Sequence, residues 1–483
     1  MRVNGMGGLN CARTPRRAFA AASRLALATL VVLGLLSAGC SSKPPAPYQP
    51  PKIELPPTPA TLKPLSIDRQ WWKAFGDEAL DRLVADALVN NLDLARAAAN
   101  IEEARANLGM AASFLSPRID GFASTGGTRS QLTLSTAKLS SDVNRTVWTA
   151  DVGAAVNWEI DLWGRIGQMN DAARARLAAS EHTRNATALS VSSAVAQTYF
   201  QLRGLDYQLL ATQASAKNLK EASDLEYRKW QAQTGTELAY RQSLAELAST
   251  EARIPGLQAA IGATELALQV LVGRSPRGMM DAFPRGEHTA LPDTPREFDG
   301  ALLLRRPDVA SAEQLLVAAN ADVNSIRTES LPRLNLSLLA SVLATTSKLI
   351  TGSPLFFDVG AGLSGPIFDA GYVKSKTEAA EARRGAAVAY YRYAVSIAFR
   401  EVYEAMIQRD AADQQVASSR SEVATRKKSL ALTEKSYDAG RSSKFEVLSE
   451  SIKVLNAQLR LIDAVQLQYI ARAQYYKAVG GGF

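Results

Sequence analysis

The chain has 483 residues, of which 47% are hydrophobic and 21% are charged, and this composition excludes a disordered or low-complexity protein. Its formal net charge is +8, but five arginines and no acids lie in residues 1–39, so the rest of the chain holds 50 basic and 47 acidic residues. A balance so close to neutral gives no support for a nucleic-acid-binding surface.

The N-terminus has the layout of an export signal. Arginines precede an apolar stretch, Leu25–Leu36, and small residues and Cys40 follow it. The segment Leu36–Cys40 resembles a lipoprotein signal, although Ser37 stands where a large aliphatic residue is usual. We therefore expect residues 1–39 to be removed and Cys40 to be lipidated, which anchors the chain in a membrane. The alternative is a conventional cleavage site at which Cys40 is an ordinary small residue.

The segment 40–70 is dense in proline between Pro44 and Pro64. Proline at this density favours an extended conformation and opposes helix. We interpret the segment as a tether between the lipidated cysteine and the folded body.

The rest of the chain contains an internal duplication. Residues 151–180 align without a gap on residues 358–387, at an offset of 207, and both segments open with Asp-Val-Gly-Ala. We therefore predict a first structural repeat over 71–272, a connector over 273–300 and a second repeat over 301–483. Each repeat has the predicted order helix, strand, strand, long helix, long helix.

The predicted strands alternate strictly between apolar and polar or small residues. The apolar positions are Trp148, Ala150, Val152, Ala154, Val156, Trp158 and Ile160 in the first repeat, and Leu334, Leu336, Leu338, Ala340, Val342, Phe357, Val359, Ala361, Leu363 and Ile367 in the second. The Ser- and Thr-rich segments Gly126–Thr146 and Thr345–Pro354 are the predicted external hairpin ends. Such strands suit an outer-membrane barrel, and the alternative is an amphipathic sheet on a soluble core.

The number of predicted strands implies that several chains share one barrel. Each repeat supplies one hairpin, so one chain has four strands, whereas single-chain bacterial barrels have at least eight. Open strand edges cannot face lipid, because their backbone groups would lack hydrogen-bond partners.

The predicted long helices are too long for a globular core. Proline is absent from Gly164 to Trp230, and an equivalent helix is predicted from Gly371 to Tyr437. Alternating spacings of three and four residues form a narrow apolar stripe of the coiled-coil type in the second of these helices. Its members are Val388, Tyr391, Val395, Ala398, Val402 and Ala405. These helices predict a tube or a rod.

Several ordered motifs resemble the TolC-like outer-membrane efflux family, in particular the lipoprotein branch that works with RND-type multidrug pumps. The motifs are the opening helices Trp71–Gly109, the Leu-Leu-x-Arg-Arg-Pro-Asp pattern within Leu302–Val323, the strand end Gly365–Gly371, the helical segment Ala398–Ala405 and the terminal segment Tyr475–Phe483. Independently of that resemblance, Pro307 and Asp308 predict the start of a helix, and Gly480–Gly482 suggests a flexible end.

The resemblance implies a homotrimer in which three chains form a twelve-stranded β-barrel continued by a twelve-helix α-barrel. It implies partners as well, namely a periplasmic adaptor protein, an inner-membrane RND-type pump and the lipid of the outer membrane. The expected function is a passive exit duct for drugs or other small toxic compounds, located in the outer membrane and extending into the periplasm. The alternatives are an outer-membrane channel for type I protein secretion and a periplasmic scaffold lipoprotein that forms no channel.

The resemblance also implies a docking site and a gate at the ends of the long helices. The repeat places equivalent turns in the two halves, and these turns are the expected adaptor-docking residues: Gln233, Thr234, Gly235, Thr236, Asp438, Ala439, Gly440, Arg441, Ser442 and Ser443. The family's gate has a hydrophobic residue, an aspartate four residues later and an arginine three after that. The matching residues here are Phe445, Ser449 and Ile452, of which only Phe445 keeps the family's character. The alternative is that Phe445 and Ile452 pack in a coiled-coil seam, because the helix after the second turn has its own narrow apolar stripe. The members of that stripe are Phe445, Leu448, Ile452, Leu455, Leu459 and Ile462.

No residues suggest catalysis, a metal or a cofactor. The two histidines, His182 and His288, lie apart from any ligand-spaced cluster of cysteines or carboxylates. Phosphate-binding loops and nucleophile elbows are missing from the sequence. The expected protein is therefore not an enzyme, and it uses no cofactor.

Overall fold

The computed structural model describes residue 51 and residues 68–136, 139–275, 291–295, 300–345 and 355–482. Cys40 and most of the predicted tether and connector lie outside these residues, so lipidation of Cys40 and the domain boundaries stay predictions.

The helices and strands follow the predicted order in both halves. After a 3-10 turn at Trp71–Phe75, the first half contains α1 (Glu78–Asn90), α2 (Leu92–Ser113), β1 (Arg118–Thr136), β2 (Leu139–Ile160), α3 (Arg165–Gln231), α4 (Glu237–Glu251) and α5 (Arg253–Leu271). The second half contains α6 (Gly300–Leu303), α7 (Pro307–Arg327), a 3-10 turn at Thr328–Ser330, β3 (Arg333–Thr345), β4 (Leu355–Ser364), α8 (Tyr372–Asp438) and α9 (Lys444–Ala478). The prediction of a mainly helical chain with a small sheet is confirmed.

The two longest helices, α3 and α8, are 67 residues each, and their bounds differ by the repeat offset at both ends. Each follows a glycine in the left-handed region, Gly164 with φ 75° and Gly371 with φ 87°, a conformation that glycine adopts without steric cost. At a rise of 1.5 Å per residue, each helix is about 100 Å long. The far end of each helix is therefore remote from the strand that precedes it.

The predicted apolar stripe of α8 is buried along most of its length. Tyr391, Val395, Ala398, Val402 and Ala405 are all buried, whereas Val388 at the start of the stripe is half-buried. The antiparallel partner α9 packs along α8.

The return helix of the first half is broken, a feature that was not predicted from the sequence. Helix α4 ends at Glu251 and α5 begins at Arg253. Pro255 causes the break, because it has no N–H to donate and its ring clashes with the carbonyl four residues earlier.

Within the described residues, Glu237–Leu271 is the one helical stretch that is long and apolar enough to cross a membrane by length and composition alone. Here α4 and α5 both pack along α3.

The four strands form one antiparallel sheet in the order β1-β2-β3-β4. Val152 lies opposite Ala123 on β1 and opposite Val342 on β3, and Leu338 on β3 lies opposite Val359 on β4. These pairings align the apolar positions of all four strands on one face. Val152 and Val359 expose 60% and 79% of their surface, so the apolar face is not covered by this chain's own helices. Strands β1 and β4 are the two edges of the sheet.

Two sequence predictions about the strands are wrong. Most of Gly126–Thr146 is strand rather than loop, since β1 continues to Thr136 and β2 begins at Leu139. Backbone pairing requires no apolar side chains, and β-branched threonine favours strands, so a Ser- and Thr-rich composition concealed the strand ends. Ile367 lies beyond β4, which ends at Ser364, before Gly365 and a proline. Of the predicted hairpin end Thr345–Pro354, Thr345 belongs to β3 and the remainder lies outside the described residues.

An aromatic core lies at the middle of the molecule, where the 3-10 turn packs on α3 and α9. Trp71 stacks on Tyr476 with 5.4 Å between ring centroids, and Phe75 lies 4.9 Å from Phe200. The prediction of a flexible C-terminal end is wrong, because Gly480 and Gly481 are buried. A Cβ added to Gly481 would lie 2.3 Å from Leu189 Cδ1. These glycines are needed for close packing and for their positive φ angles rather than for mobility.

Three buried arginines of the second half bind carboxylates and backbone carbonyls. Arg306 donates to both carboxylate oxygens of Asp308, to Glu401 Oε2 at 2.7 Å and to the carbonyl of Ala478 at 2.7 Å. As predicted, the residue after it, Pro307, starts a helix, and Asp308 lies in the first turn.

The other two buried arginines hold the connector segment 291–295. Arg409 donates to the carbonyls of Thr294 and Pro295. Arg472 binds both oxygens of Asp413 at 2.9 Å and donates to the carbonyl of Pro292. Buried guanidinium groups need such partners because an unpaired buried charge is strongly destabilising.

Candidate gate and docking site at the helix tips

The turns that end α3 and α8 have the same backbone geometry. The N–H of Gln233 donates to the carbonyl of Trp230, and the N–H of Gly440 donates to that of Tyr437. The next residue in each turn donates one position further back. The helices that follow are capped alike: the N–H of Ala239 donates to Thr236 Oγ1, and the N–H of Glu446 donates to Ser443 Oγ, both at 3.2 Å. The duplication therefore extends to the individual hydrogen bonds of the turns.

The ten residues predicted to dock the adaptor lie in these two turns. All are exposed except Gly235 and Ser442, which are half-buried. In each half of the chain, a helix of 67 residues separates the turn from the strands. Exposure and position make them available to a partner, and docking itself stays a prediction.

One substitution tests the strain in the first turn. Gln233 has φ 56° at the position where the second turn has Gly440 with φ 69°. A non-glycine residue is disfavoured in this region by about 1–2 kcal/mol. Gln233→Gly is therefore expected to stabilise the first tip by about 0.5–1 kcal/mol, after allowance for the greater freedom of glycine in the unfolded chain. Hydrogen exchange of the tip amides should slow accordingly.

The matched control is Gly440→Gln, which should accelerate exchange in the second tip by a comparable amount. If Gln233→Gly accelerated exchange in the first tip, the assignment of strain to that residue would be wrong.

A lysine joins the two tips. Lys229 Nζ donates to the Tyr437 hydroxyl at 2.8 Å and to Glu226 Oε1 at 2.9 Å. Both Lys229 and Lys444 lie over the Tyr437 ring, 5.5 and 5.2 Å from its centroid. This contact was not predicted from the sequence, because helical periodicity within one repeat does not show which residues of the other repeat are adjacent.

The hydrogen bonds from Lys229 to Tyr437 and then to Glu226 raise the pKa of the lysine. A raised lysine pKa contributes stability that is present below the ordinary pKa and is lost as pH rises through the folded-state pKa. The contact is therefore complete at neutral pH and is lost only in strongly alkaline solution.

The three predicted gate residues share one side of α9 but differ in their packing. Phe445 exposes 38% of its surface. Ser449 is half-buried. Ile452 packs against a small core formed by Ala216, Leu219, Leu247 and Leu448. For Ile452 the structure therefore favours the seam alternative, whereas Phe445 keeps an apolar surface available at the tip.

Two carboxylates, Glu446 and Glu450, lie near Ser449, but neither occupies the gate position at which the family has an aspartate. Glu450 is largely buried and pairs with Lys453 at 2.7 Å. Glu446 lies at the exposed start of α9. Ser449 itself has no charge, so the predicted gate lacks a carboxylate at this position.

Beside the first turn lies an aromatic group that sequence reasoning also missed. The Trp230 and Tyr240 rings stack, with centroids 5.7 Å apart, and Tyr227 is 5.2 Å from Tyr240. The sequence does contain a signal for this group, since its three aromatic residues flank the predicted turn. Across the described residues, no group of three His, Cys, Asp or Glu side chains has an arrangement that could hold a metal ion.

A repeated chain with an exposed apolar sheet at one end and paired helical tips about 100 Å away has the architecture of an outer-membrane channel protomer. The sequence profile of the outer membrane efflux protein family matches residues 83–274 and 300–481. The chain belongs to this family, and the resemblance found in the sequence is confirmed.

Known relatives agree with this assignment. The solvent efflux pump outer membrane protein SrpC of Pseudomonas putida is 31% identical over 412 residues, which cover 85% of this chain and 86% of the relative. The probable outer membrane lipoprotein SilC of Salmonella typhimurium is 28% identical, and the alignment covers 95% of this chain and 98% of SilC. The solved structure of the outer membrane channel CmeC of Campylobacter jejuni superposes on this chain with a TM-score of 0.79. The two chains are 25% identical, and the superposition covers 90% of this chain and 95% of the CmeC chain. This chain is an efflux channel protein of the outer membrane.

Proposed function

We propose that three copies of this chain assemble into the exit duct of a tripartite efflux pump. The observation that carries the proposal is the sheet, which has an apolar face over four strands and ends in two edges, β1 and β4. Edges cannot face lipid without hydrogen-bond partners. Pairing β4 of one copy with β1 of the next satisfies both edges, and three copies give a closed barrel of about twelve strands, within the range of known outer-membrane barrels.

In this assembly the long helices of three chains form a tunnel that reaches across the periplasm. The exposed turns at Gln233–Thr236 and Asp438–Ser443 meet a periplasmic adaptor protein, and an inner-membrane RND-type pump supplies the energy. The duct itself is a passive conduit for drugs or other small toxic compounds. The name of the relative SrpC, a solvent efflux protein, supports small apolar substrates over exported proteins. No nucleic acid takes part.

We propose further that Cys40 is lipidated and holds each chain to outer-membrane lipid beside the barrel. The support is the signal layout before Cys40 and the lipoprotein name of the relative SilC. At the opposite end, Phe445 narrows the tunnel mouth as an apolar ring, and the Lys229–Tyr437 contact holds the two tips of each chain together. Loss of the carboxylate at Ser449 leaves less ionic locking than the family pattern has.

A pair of adjacent substitutions on β3 tests the shared barrel. Leu338 belongs to the apolar face, and Ser337 faces the other side. Leu338→Arg is expected to block trimer formation, since an arginine on the lipid face costs about 2–4 kcal/mol near the bilayer centre. Ser337→Arg is the matched control and should assemble, because that face borders water. Native mass spectrometry of purified protein measures the trimer, and planar-bilayer recording measures its conductance.

If Leu338→Arg assembled and conducted as the unchanged protein does, the lipid-facing role of this surface would be wrong. If the unchanged protein purified as a trimer but gave no conductance even when its mouth contacts were removed, the scaffold alternative would hold instead.

A further inference from the structure

A cavity of about 240 Å³ lies between α3 and α9, just beyond the central aromatic core. Its walls are mostly apolar, and the residues that form them are Phe200, Tyr207, Leu461, Ile462, Val465 and Tyr469. The cavity is open to the surface on one side. For comparison, a dry engineered cavity of about 150 Å³ holds benzene. The space here therefore suits a single substituted ring.

One charged group, Arg203, lines this apolar cavity and is only 9% exposed. Its Nη1 lies 3.3 Å from Asp206 Oδ2, and its Nη2 lies 3.2 Å from the Tyr207 hydroxyl. Both contacts are long for a guanidinium, whose charge-assisted hydrogen bonds are usually about 2.7–2.9 Å. The buried Nε has no hydrogen-bond partner. Arg203 is thus a buried cation whose hydrogen-bonding capacity is only partly used.

The same place holds a glycine inside a long helix. A Cβ added to Gly204 would lie 2.0 Å from Gln466 Oε1. Glycine in a helix interior is destabilising relative to alanine. In the second repeat, the positions equivalent to Arg203 and Gly204 hold Asp410 and Ala411. The cavity is therefore a feature of one repeat and not a by-product of the duplication.

We propose that this cavity is a binding site for a small aromatic carboxylate. The ring would lie among Phe200, Tyr207 and Tyr469, where aromatic contacts add to apolar burial. The carboxylate would accept a hydrogen bond from Arg203 Nε, which has no partner, while the Arg203–Asp206 pair stays in place; a guanidinium matches the fork of a carboxylate. The inference does not depend on the proposed duct function, because it concerns a site on the wall formed by one chain.

The test uses the full-length protein in lipid nanodiscs with 4-fluorobenzoate as the probe. We expect fluorine NMR to show line broadening that unlabelled benzoate reverses. Arg203→Gln should weaken binding by about tenfold or more, because a hydrogen bond to a charged group is lost. Ile462→Trp should abolish binding by filling the cavity while leaving Arg203 in place. The matched control is Arg253→Gln, which removes an exposed arginine whose partner is Asn456 and should leave binding unchanged.

Three further outcomes would contradict the proposal. Equal binding of 4-fluorobenzyl alcohol and 4-fluorobenzoate would show that the carboxylate is not recognised. Binding that survives Ile462→Trp would place the probe elsewhere, including the lipid. Absence of reversible broadening at about 5 mM probe would mean that affinity is too weak for a site. If Arg203→Gln does not fold, as judged by circular dichroism, Arg203→Lys takes its place and should bind more weakly because it loses the planar fork.

Discussion

Replacing Phe445 with alanine is expected to raise the conductance of the resting channel severalfold and to sensitise cells to large antibiotics. In the proposed trimer, three copies of this side chain surround the mouth, and an apolar constriction excludes water and ions when it is narrow enough. Phe445 exposes 38% of its surface at the start of α9, so its removal leaves the coiled-coil seam nearly intact. Planar-bilayer recording and uptake of a large antibiotic measure the effect.

The control for this substitution is Ile452→Ala, seven residues further along the same side of α9. Ile452 packs against the small core around Leu219 and Leu448. Its truncation should lower the stability of the tip by about 1–2 kcal/mol, less than for a fully buried isoleucine, and should leave the resting conductance nearly unchanged. If Phe445→Ala also left conductance and uptake unchanged, Phe445 would be a seam residue and the proposed gate would lie elsewhere.

Arg306→Met is expected to have the largest effect on stability, a loss of about 3 kcal/mol. Arg306 is 4% exposed and binds Asp308, Glu401 and the carbonyl of Ala478. Removing one partner from a buried ion pair typically costs about 3–5 kcal/mol. The lower end applies because the carboxylates of Asp308 and Glu401 are 40% and 28% exposed and water can solvate them. Denaturant unfolding of the purified protein measures the loss.

The neighbouring residue supplies the matched control. Arg305 is exposed, so Arg305→Met should change the free energy of unfolding by less than about 0.5 kcal/mol, as is usual for surface sites. Equal losses from the two substitutions would show that the local sequence, rather than the buried contacts of Arg306, is responsible. Arg306→Lys should fall between them, since lysine retains the charge but cannot bind two carboxylates through a planar group.

The sequence predicted the parts of the fold that depend on local chemistry. The two long helices were predicted from the absence of proline, and Gly164 and Gly371 mark their starts. The repeat offset located the turn at Gln233 from the more obvious turn at Gly440. These features are readable because glycine and proline act on the backbone directly, whatever surrounds them.

The errors and omissions concern features set by tertiary contacts. Gly480–Gly482 looks like a flexible end until Trp71, Leu189 and Arg306 are known to pack against it. The contact of Lys229 with Tyr437 joins residues 208 positions apart, and no periodic pattern reports such a pairing. The break before Pro255 is an exception, because it follows from the missing N–H of proline and was predictable from the sequence. The second repeat has Ile462 at the equivalent position, and its helix is unbroken.

The edges of the sheet have a genetic consequence. If the edge strands of each chain pair only with those of its neighbours, a chain with a damaged β1 or β4 prevents barrel closure in every trimer that contains it. A cell that makes normal and damaged chains in equal amounts would then retain only about one intact trimer in eight, for random mixing in a closed ring of three. Faults at these edges should therefore be dominant, whereas faults that stop a chain from folding altogether should be recessive.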